Sequence, residues 1–149
     1  MDPYLRFLLM LATSFIIMYI VMFLNVWETG HVRLSLTRVY MTILMVAPMA
    51  ITMLLFMQHM YKNKARNAII LGSAVVVFVL SLWGLRSQVG SADVQYMKAM
   101  IPHHSSAILT SERAAIKDPE VRKLADEIIK AQEKEIAEMK RLIERMEKN

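Results

Sequence analysis

The chain has 149 residues, 56% of them hydrophobic, and a mean hydropathy of +0.36, which is too apolar for an ordinary soluble domain of this length. The absence of cysteine excludes disulfides, cysteine-type zinc sites, iron–sulfur clusters and covalent haem attachment. The net charge of +5 comes from residues 1–90, which hold seven basic and two acidic residues, whereas residues 91–149 hold eleven of each. Because the seven basic residues flank apolar runs, they favour a membrane-flanking role over nucleic-acid binding.

Three apolar segments without formal charge are each long enough to cross a bilayer. They comprise residues 7–27, 39–60 and 67–85, close to the roughly 20 residues that span about 30 Å of hydrocarbon as a helix. The first is interpreted as a retained helix, because it is longer than a usual signal-peptide core and lacks a small-residue cleavage site. The sequence therefore predicts a domain of three transmembrane helices over residues 1–90.

The lysine and arginine residues near the segment ends indicate an orientation. The N-terminus and residues 62–66 hold four basic residues on one side of the membrane, and the opposite side holds three. Basic residues favour the cytoplasmic side, so the N-terminus is expected inside and residues 91–149 outside. We expect a multi-pass protein of the bacterial inner membrane with a periplasmic C-terminal domain.

Methionine occurs fourteen times, and six copies in the second segment recur at steps of four and three residues. Such a row along a membrane helix suits a sulfur-lined metal path. Methionine is also ordinary packing material between helices, and this is the preferred interpretation.

Residues 91–149 have the pattern of two helices. Ser91 is expected to cap a first helix that runs to about residue 116. Asp118 and Pro119 predict a second helix as its N-cap and first residue, and apolar side chains then form one stripe at steps of three and four. We expect an antiparallel hairpin that is too small to bury a core alone and therefore associates with another copy or with the membrane portion. Homo-oligomerisation into a four-helix bundle from two chains is the most economical solution.

The beginning of this hairpin concentrates groups that bind metals. Four candidate donors are separated by four, three and four residues and so share one helix face: Asp93, Met97, Met100 and His104. His103 lies beside that face, one turn from Met100. Copper(I) prefers soft sulfur and accepts imidazole, so the set favours copper, as Cu(I), with silver as an alternative. Zinc is disfavoured because thioether rarely binds it.

The second helix offers further groups that could reach the same place. Met139 is a candidate ligand, and Gln132 or Glu135 is a candidate for orienting an imidazole. The competing interpretation is packing, since buried methionine and histidine usually have no ligand role. Moreover, His103 and His104 point about 100° apart on a helix, so both cannot lie on one narrow face.

The C-terminal region also resembles a known family. Met100-Ile101-Pro102-His103-His104, together with the downstream Gln132, Glu135-Ile136 and Met139, is similar to the domain of unknown function 305 family over about residues 91–146. The resemblance implies a ferritin-like helical module that is often exported and associated with copper resistance, here in a membrane-anchored form. Carried over by position, it implies these candidate ligands: Met97, Met100, His103, His104 and Met139. Thr110 departs from the family, since many relatives have methionine there.

The combined interpretation is a non-enzymatic, membrane-anchored copper-binding protein of bacterial metal resistance or homeostasis. It would capture copper for storage or for delivery to a partner such as a copper exporter or a periplasmic carrier. The alternative is a helical assembly module that pairs with another membrane protein and has no metal role. A ferritin-like di-iron oxidase needs several inward-facing carboxylates with Glu-x-x-His motifs; the chain is expected to have no such motif, which disfavours this third alternative.

Overall fold

The computed structural model describes residues 1–148, and its regular structure over these residues is entirely helical. The α-helices are α1 (Pro3–Val21), α2 (Leu36–Phe56), α3 (Lys64–Arg86), α4 (Asp93–Arg113) and α5 (Pro119–Glu147). A short 3₁₀ turn, Thr29–His31, lies between α1 and α2. This order confirms the prediction of an all-α chain in which three long apolar helices precede two more.

The chain divides into two compact units. The first consists of Met1–Met22 and Thr37–Val89 and contains α1, most of α2, and α3. The second consists of Phe23–Leu36 together with the described chain from Gly90 onward. Residues 23–27, assigned by the sequence analysis to the first apolar segment, therefore lie beyond the end of α1 and belong to the second unit.

Helices α1, α2 and α3 are each long and apolar enough to cross a membrane. Many of their apolar side chains are exposed, as expected for helices whose outer faces meet lipid. Five buried residues of these helices and of the connection between α2 and α3 form a hydrophobic cluster: Phe7, Ala50, Leu54, Tyr61 and Ala74. Met53 and Met57 pack against this cluster, so this part of the methionine row contributes to helix packing.

Polar contacts fix the beginning of α1 against the connection between α2 and α3. The Tyr4 hydroxyl donates to Asn67 Oδ1 at 2.9 Å and accepts from the Asn63 backbone N–H at 3.0 Å. The Asp2 carboxylate accepts from the Tyr4 backbone N–H at 2.9 Å and pairs with Arg66 at 3.1 Å. These contacts tie the N-terminal end of α1 to the start of α3.

In the second unit, α4 and α5 pack through facing apolar stripes. Their buried cluster consists of Met97, Ile101, Ile108, Ile129, Ile136 and Ile143. Successive members on each helix are separated by four or seven residues, the spacing that keeps side chains on one helix face. The predicted stripe of α5 is thus the face that packs on α4.

The ends of the two helices agree with the sequence analysis at α5 and differ at α4. Asp118 Oδ1 accepts from the backbone N–H groups of Glu120 and Val121, at 2.9 and 3.0 Å, and so caps α5 as predicted. The expectation for Ser91 is wrong, because Ala92 is the N-cap of α4 and makes no side-chain cap bond. Helix α4 ends at Arg113, a turn earlier than predicted.

Residues 23–36 are held against α4 through two consecutive serines. Ser105 Oγ accepts from the Trp27 backbone N–H at 2.7 Å and lies 2.9 Å from His31 Nδ1. Asn25 Nδ2 donates to Ser106 Oγ at 2.9 Å. Since Ser105 is fully buried, this segment covers the part of α4 that follows the two histidines.

Burial is the main cause that lowers the pKa of His31 below its ordinary value, and the positive charge of Lys140 lowers this pKa further. The negative charge of Glu28 raises the pKa and the positive charge of Arg33 lowers it, both by less. Because the folded-state pKa is depressed, the unfolded chain binds more protons, and the free energy of unfolding decreases as the pH falls below about 6.5. We expect thermal denaturation of His31→Gln to depend less on pH below that value. His59→Gln, which alters an exposed histidine, should keep the wild-type slope, and an unchanged slope in His31→Gln would contradict this account.

Candidate metal-binding groove

An open groove of about 840 Å³ runs along the junction of α4 and α5. Helix α4 contributes Asp93, Tyr96, Met97, Met100 and His104. Helix α5 contributes Glu135, Glu138, Met139, Leu142, Arg145 and Met146. The groove therefore collects four thioether sulfurs, one imidazole and three carboxylates within the second unit.

The antiparallel register of the two helices explains which side chains meet. His104 Nε2 lies 2.6 Å from Glu135 Oε2, and this contact identifies one facing pair. Because the helices are antiparallel, moving back along α4 and forward along α5 by four, seven and eleven residues from this pair gives three more facing pairs. They are Met100 with Met139, Met97 with Leu142, and Asp93 with Met146. All six residues line the groove, so the donors on both helices follow the same spacing.

His104 is both buried and in contact with a carboxylate. Only 9% of this residue is exposed, and its Nδ1 atom is buried without a hydrogen-bond partner among the described residues. Because a carboxylate can only accept, a neutral imidazole in this contact would donate through Nε2 and keep its lone pair on Nδ1. A histidine that donates one N–H to a carboxylate and keeps the other nitrogen free is the usual form of a metal-ligating histidine.

Gln132 supplies a second buried polar atom on the same side of α5. Its Oε1 atom is buried and has no hydrogen-bond partner among the described residues. Gln132 precedes Glu135 by three residues and therefore lies one turn away on a neighbouring part of the helix face. Both residues are sequence-predicted candidates for orienting an imidazole, and Glu135 makes the hydrogen bond to His104.

The structure brings four of the five sequence-predicted ligands together. Met97, Met100, His104 and Met139 line the groove, whereas His103 is exposed and outside the lining. The ring centroids of His103 and His104 are 6.1 Å apart and their planes are inclined by 62°. This divergence follows from the rotation of about 100° between consecutive helical residues.

Comparison with known proteins gives the family. The family described as Domain of unknown function (DUF305) matches residues 82–149. An uncharacterized protein of Acanthamoeba polyphaga mimivirus is 34% identical over 142 residues, which cover 92% of this chain and 90% of the viral protein. The chain belongs to the DUF305 family. No solved structure matches it significantly.

The similarity to the viral protein extends beyond the DUF305 region. The family match begins at residue 82, near the end of α3, whereas the alignment with the viral protein covers nearly all of both chains. The similarity between the two chains therefore includes the part of this chain that forms the apolar helices. The family resemblance in the sequence is confirmed.

Sequence reasoning missed two features around the DUF305 region. Met146 lines the groove, and the available signal was its position seven residues after Met139 on the same stripe. The expectation that the chain has no Glu-x-x-His motif is wrong, because Glu28 and His31 have this spacing; His31 is buried against Ser105 and lies outside the groove lining. Over residues 1–148, no group of three or more histidine, aspartate and glutamate side chains is arranged to hold a metal ion. A metal site in the groove would therefore need its methionine sulfurs.

The contact with Glu135 makes a testable prediction about the tautomer of His104. In metal-free protein, two-bond ¹H–¹⁵N correlation spectra should show neutral His104 protonated at Nε2. Glu135→Leu removes the acceptor and should shift the tautomer population toward Nδ1–H, whereas Glu135→Gln keeps an acceptor oxygen and should preserve it. Glu144→Leu, which changes an exposed residue of α5, is the matched control. An identical tautomer population in Glu135→Leu would show that Glu135 does not orient this imidazole.

Proposed function

We propose that this protein is a membrane-anchored copper-binding protein that captures Cu(I) in the groove between α4 and α5, and that it is not an enzyme. The observation that carries the proposal is the convergence of thioether groups from both helices beside one buried imidazole. Thioether and imidazole donors suit Cu(I) and Ag(I) better than hard cations. Silver would therefore occupy the same site.

The best-supported ligand set consists of Met100, Met139 and His104. Met100 and Met139 face each other one turn from the His104–Glu135 pair, and the Nδ1 lone pair of His104 has no protein partner among the described residues. The groove lining has three carboxylates and one guanidinium, a formal excess of two negative charges that favours cation binding. Glu135 acts by orienting His104.

We propose further that the groove lies on the outer side of a membrane, in bacteria the periplasmic side of the inner membrane. Three crossings by α1, α2 and α3 would put residues 23–36 and the chain after α3 on the same side. The packing of these two parts into one unit supports this topology. From that side, bound copper would be stored or passed to an exporter or a soluble carrier.

Ligand variants test the copper proposal directly. His104→Ala and Met139→Leu should each weaken Cu(I) binding by at least about tenfold, and Glu135→Leu by about 10- to 100-fold, because ligands and the groups that orient them both contribute to affinity. His103→Ala, which alters an exposed imidazole outside the groove, should leave the affinity nearly unchanged. Competition of the purified full-length protein with a chromophoric Cu(I) chelator measures each value. Wild-type affinity in the His104 and Met139 variants would contradict the site.

Single cysteines test the topology, since the natural chain contains none. Leu34→Cys and Lys148→Cys should both react with a membrane-impermeant maleimide in intact cells. Lys62→Cys should react only after permeabilisation. All three positions are exposed, so reactivity reports the side of the membrane. Labelling of Leu34 and Lys148 from opposite sides would contradict the three-crossing topology, and labelling of both from inside would contradict the outer location.

A second candidate function is a helical assembly module. Val121 and Leu124 near the start of α5 are 51% and 57% exposed, and a second copy of the chain could cover them. On this alternative, Leu124→Ser would change the oligomeric mass in lipid nanodiscs. His104→Ala would leave both the mass and the copper tolerance of cells unchanged. If His104→Ala instead lowers copper tolerance, the metal-binding proposal is favoured.

A further inference from the structure

The groove continues well beyond His104, toward the end of the hairpin where α4 begins and α5 ends. At that end Asp93 faces Met146, and Met97 lies one turn further in. Met97 is only 6% exposed, whereas Met146 is 38% exposed. These three residues are not needed by the set of Met100, Met139 and His104.

We infer that this end of the groove holds a second soft monovalent cation, Cu(I) or Ag(I), between the sulfurs of Met97 and Met146, with the Asp93 carboxylate as a third donor. The inference rests on the proposed function, because it assigns a second ion to the same groove. Two thioethers supply the soft donors that such an ion prefers, and the carboxylate offsets its charge.

On α5 the donors of the two sets lie two helical turns apart, whereas Met97 and Met100 on α4 lie one turn apart. Met146 follows Met139 by seven residues, which at 1.5 Å per residue places their backbone positions about 10 Å apart along α5. An ion held between Met100 and Met139 would lie about two helical turns from the backbone of Met146. The groove is therefore long enough for two ions, each with one sulfur from α4 and one from α5.

An ion pair between the two helices joins them at the far end of the groove. An ion pair of 2.6 Å between Lys98 Nζ and Glu147 Oε1 ties the first turns of α4 to the last turn of α5. Arg145 also lines this end, but the carboxylates of Asp93 and Glu138 outnumber its positive charge. In this register Met146 faces Asp93, and Met97 lies one helical turn away on α4, within the same end of the groove.

Titration of the full-length protein in detergent with Ag(I) tests the inference, because this ion is redox-stable and has the same donor preference. With ¹³C-methyl-labelled methionine, the wild type should bind two equivalents. The methyl signals of Met97 and Met146 should shift together, separately from those of Met100 and Met139. The double variant Asp93→Asn/Met146→Leu should bind one equivalent and retain the shifts of Met100 and Met139.

The reciprocal variant keeps the two sites distinguishable. His104→Ala/Met139→Leu should bind one equivalent that shifts only Met97 and Met146. Met57→Leu in the first unit is the control and should still bind two. If the wild type binds one equivalent and the Met146 signal does not move, the second site is overturned and the proposed function stands. If no methionine signal of the groove moves, both proposals fail.

Discussion

The antiparallel register of α4 and α5 is the constraint on which the groove depends. Asp118 and Pro119 set where α5 begins, and the buried isoleucines on both helices select the faces that meet. A slip of one residue along α5 would rotate its side chains by about 100° relative to α4. Such a slip would separate Met139 from Met100 and break the contact between Glu135 and His104. Apolar packing thus positions the polar groups.

Within this apolar interface, two polar residues occupy positions where the spacing calls for apolar side chains. His104 lies between Ile101 and Ile108 on the buried stripe of α4, and Gln132 lies between Ile129 and Ile136 on that of α5. Each has a buried polar atom without a hydrogen-bond partner among the described residues, an arrangement that costs about 1–3 kcal/mol per group. Local departures of this kind are typical of functional sites, and a bound cation would satisfy the imidazole nitrogen.

Much of the fold follows from local patterns in the sequence, because the governing interactions are local. The length of the apolar runs predicted three helices, and Asp118 with Pro119 predicted the start of α5. The packing of residues 23–36 on α4 depends on the hydrogen bonds that Trp27 and His31 share with Ser105, which connect positions more than 70 residues apart. The periodicity of side chains along one helix does not predict a contact between segments so far apart in the sequence. The early end of α1 has the same origin, since residues 23–27 belong to the second unit.

The candidate site was predictable only in part for a related reason. Helical spacing placed Met97, Met100 and His104 on one face. Their partners on α5 depend on the register between the two helices, which the spacing within each helix does not determine.

Extended X-ray absorption fine structure at the copper edge of Cu(I)-loaded protein tests the central claim most directly. The account predicts sulfur scatterers together with one imidazole in the first coordination sphere. A spectrum with only nitrogen and oxygen scatterers, or two imidazoles without sulfur, would contradict it.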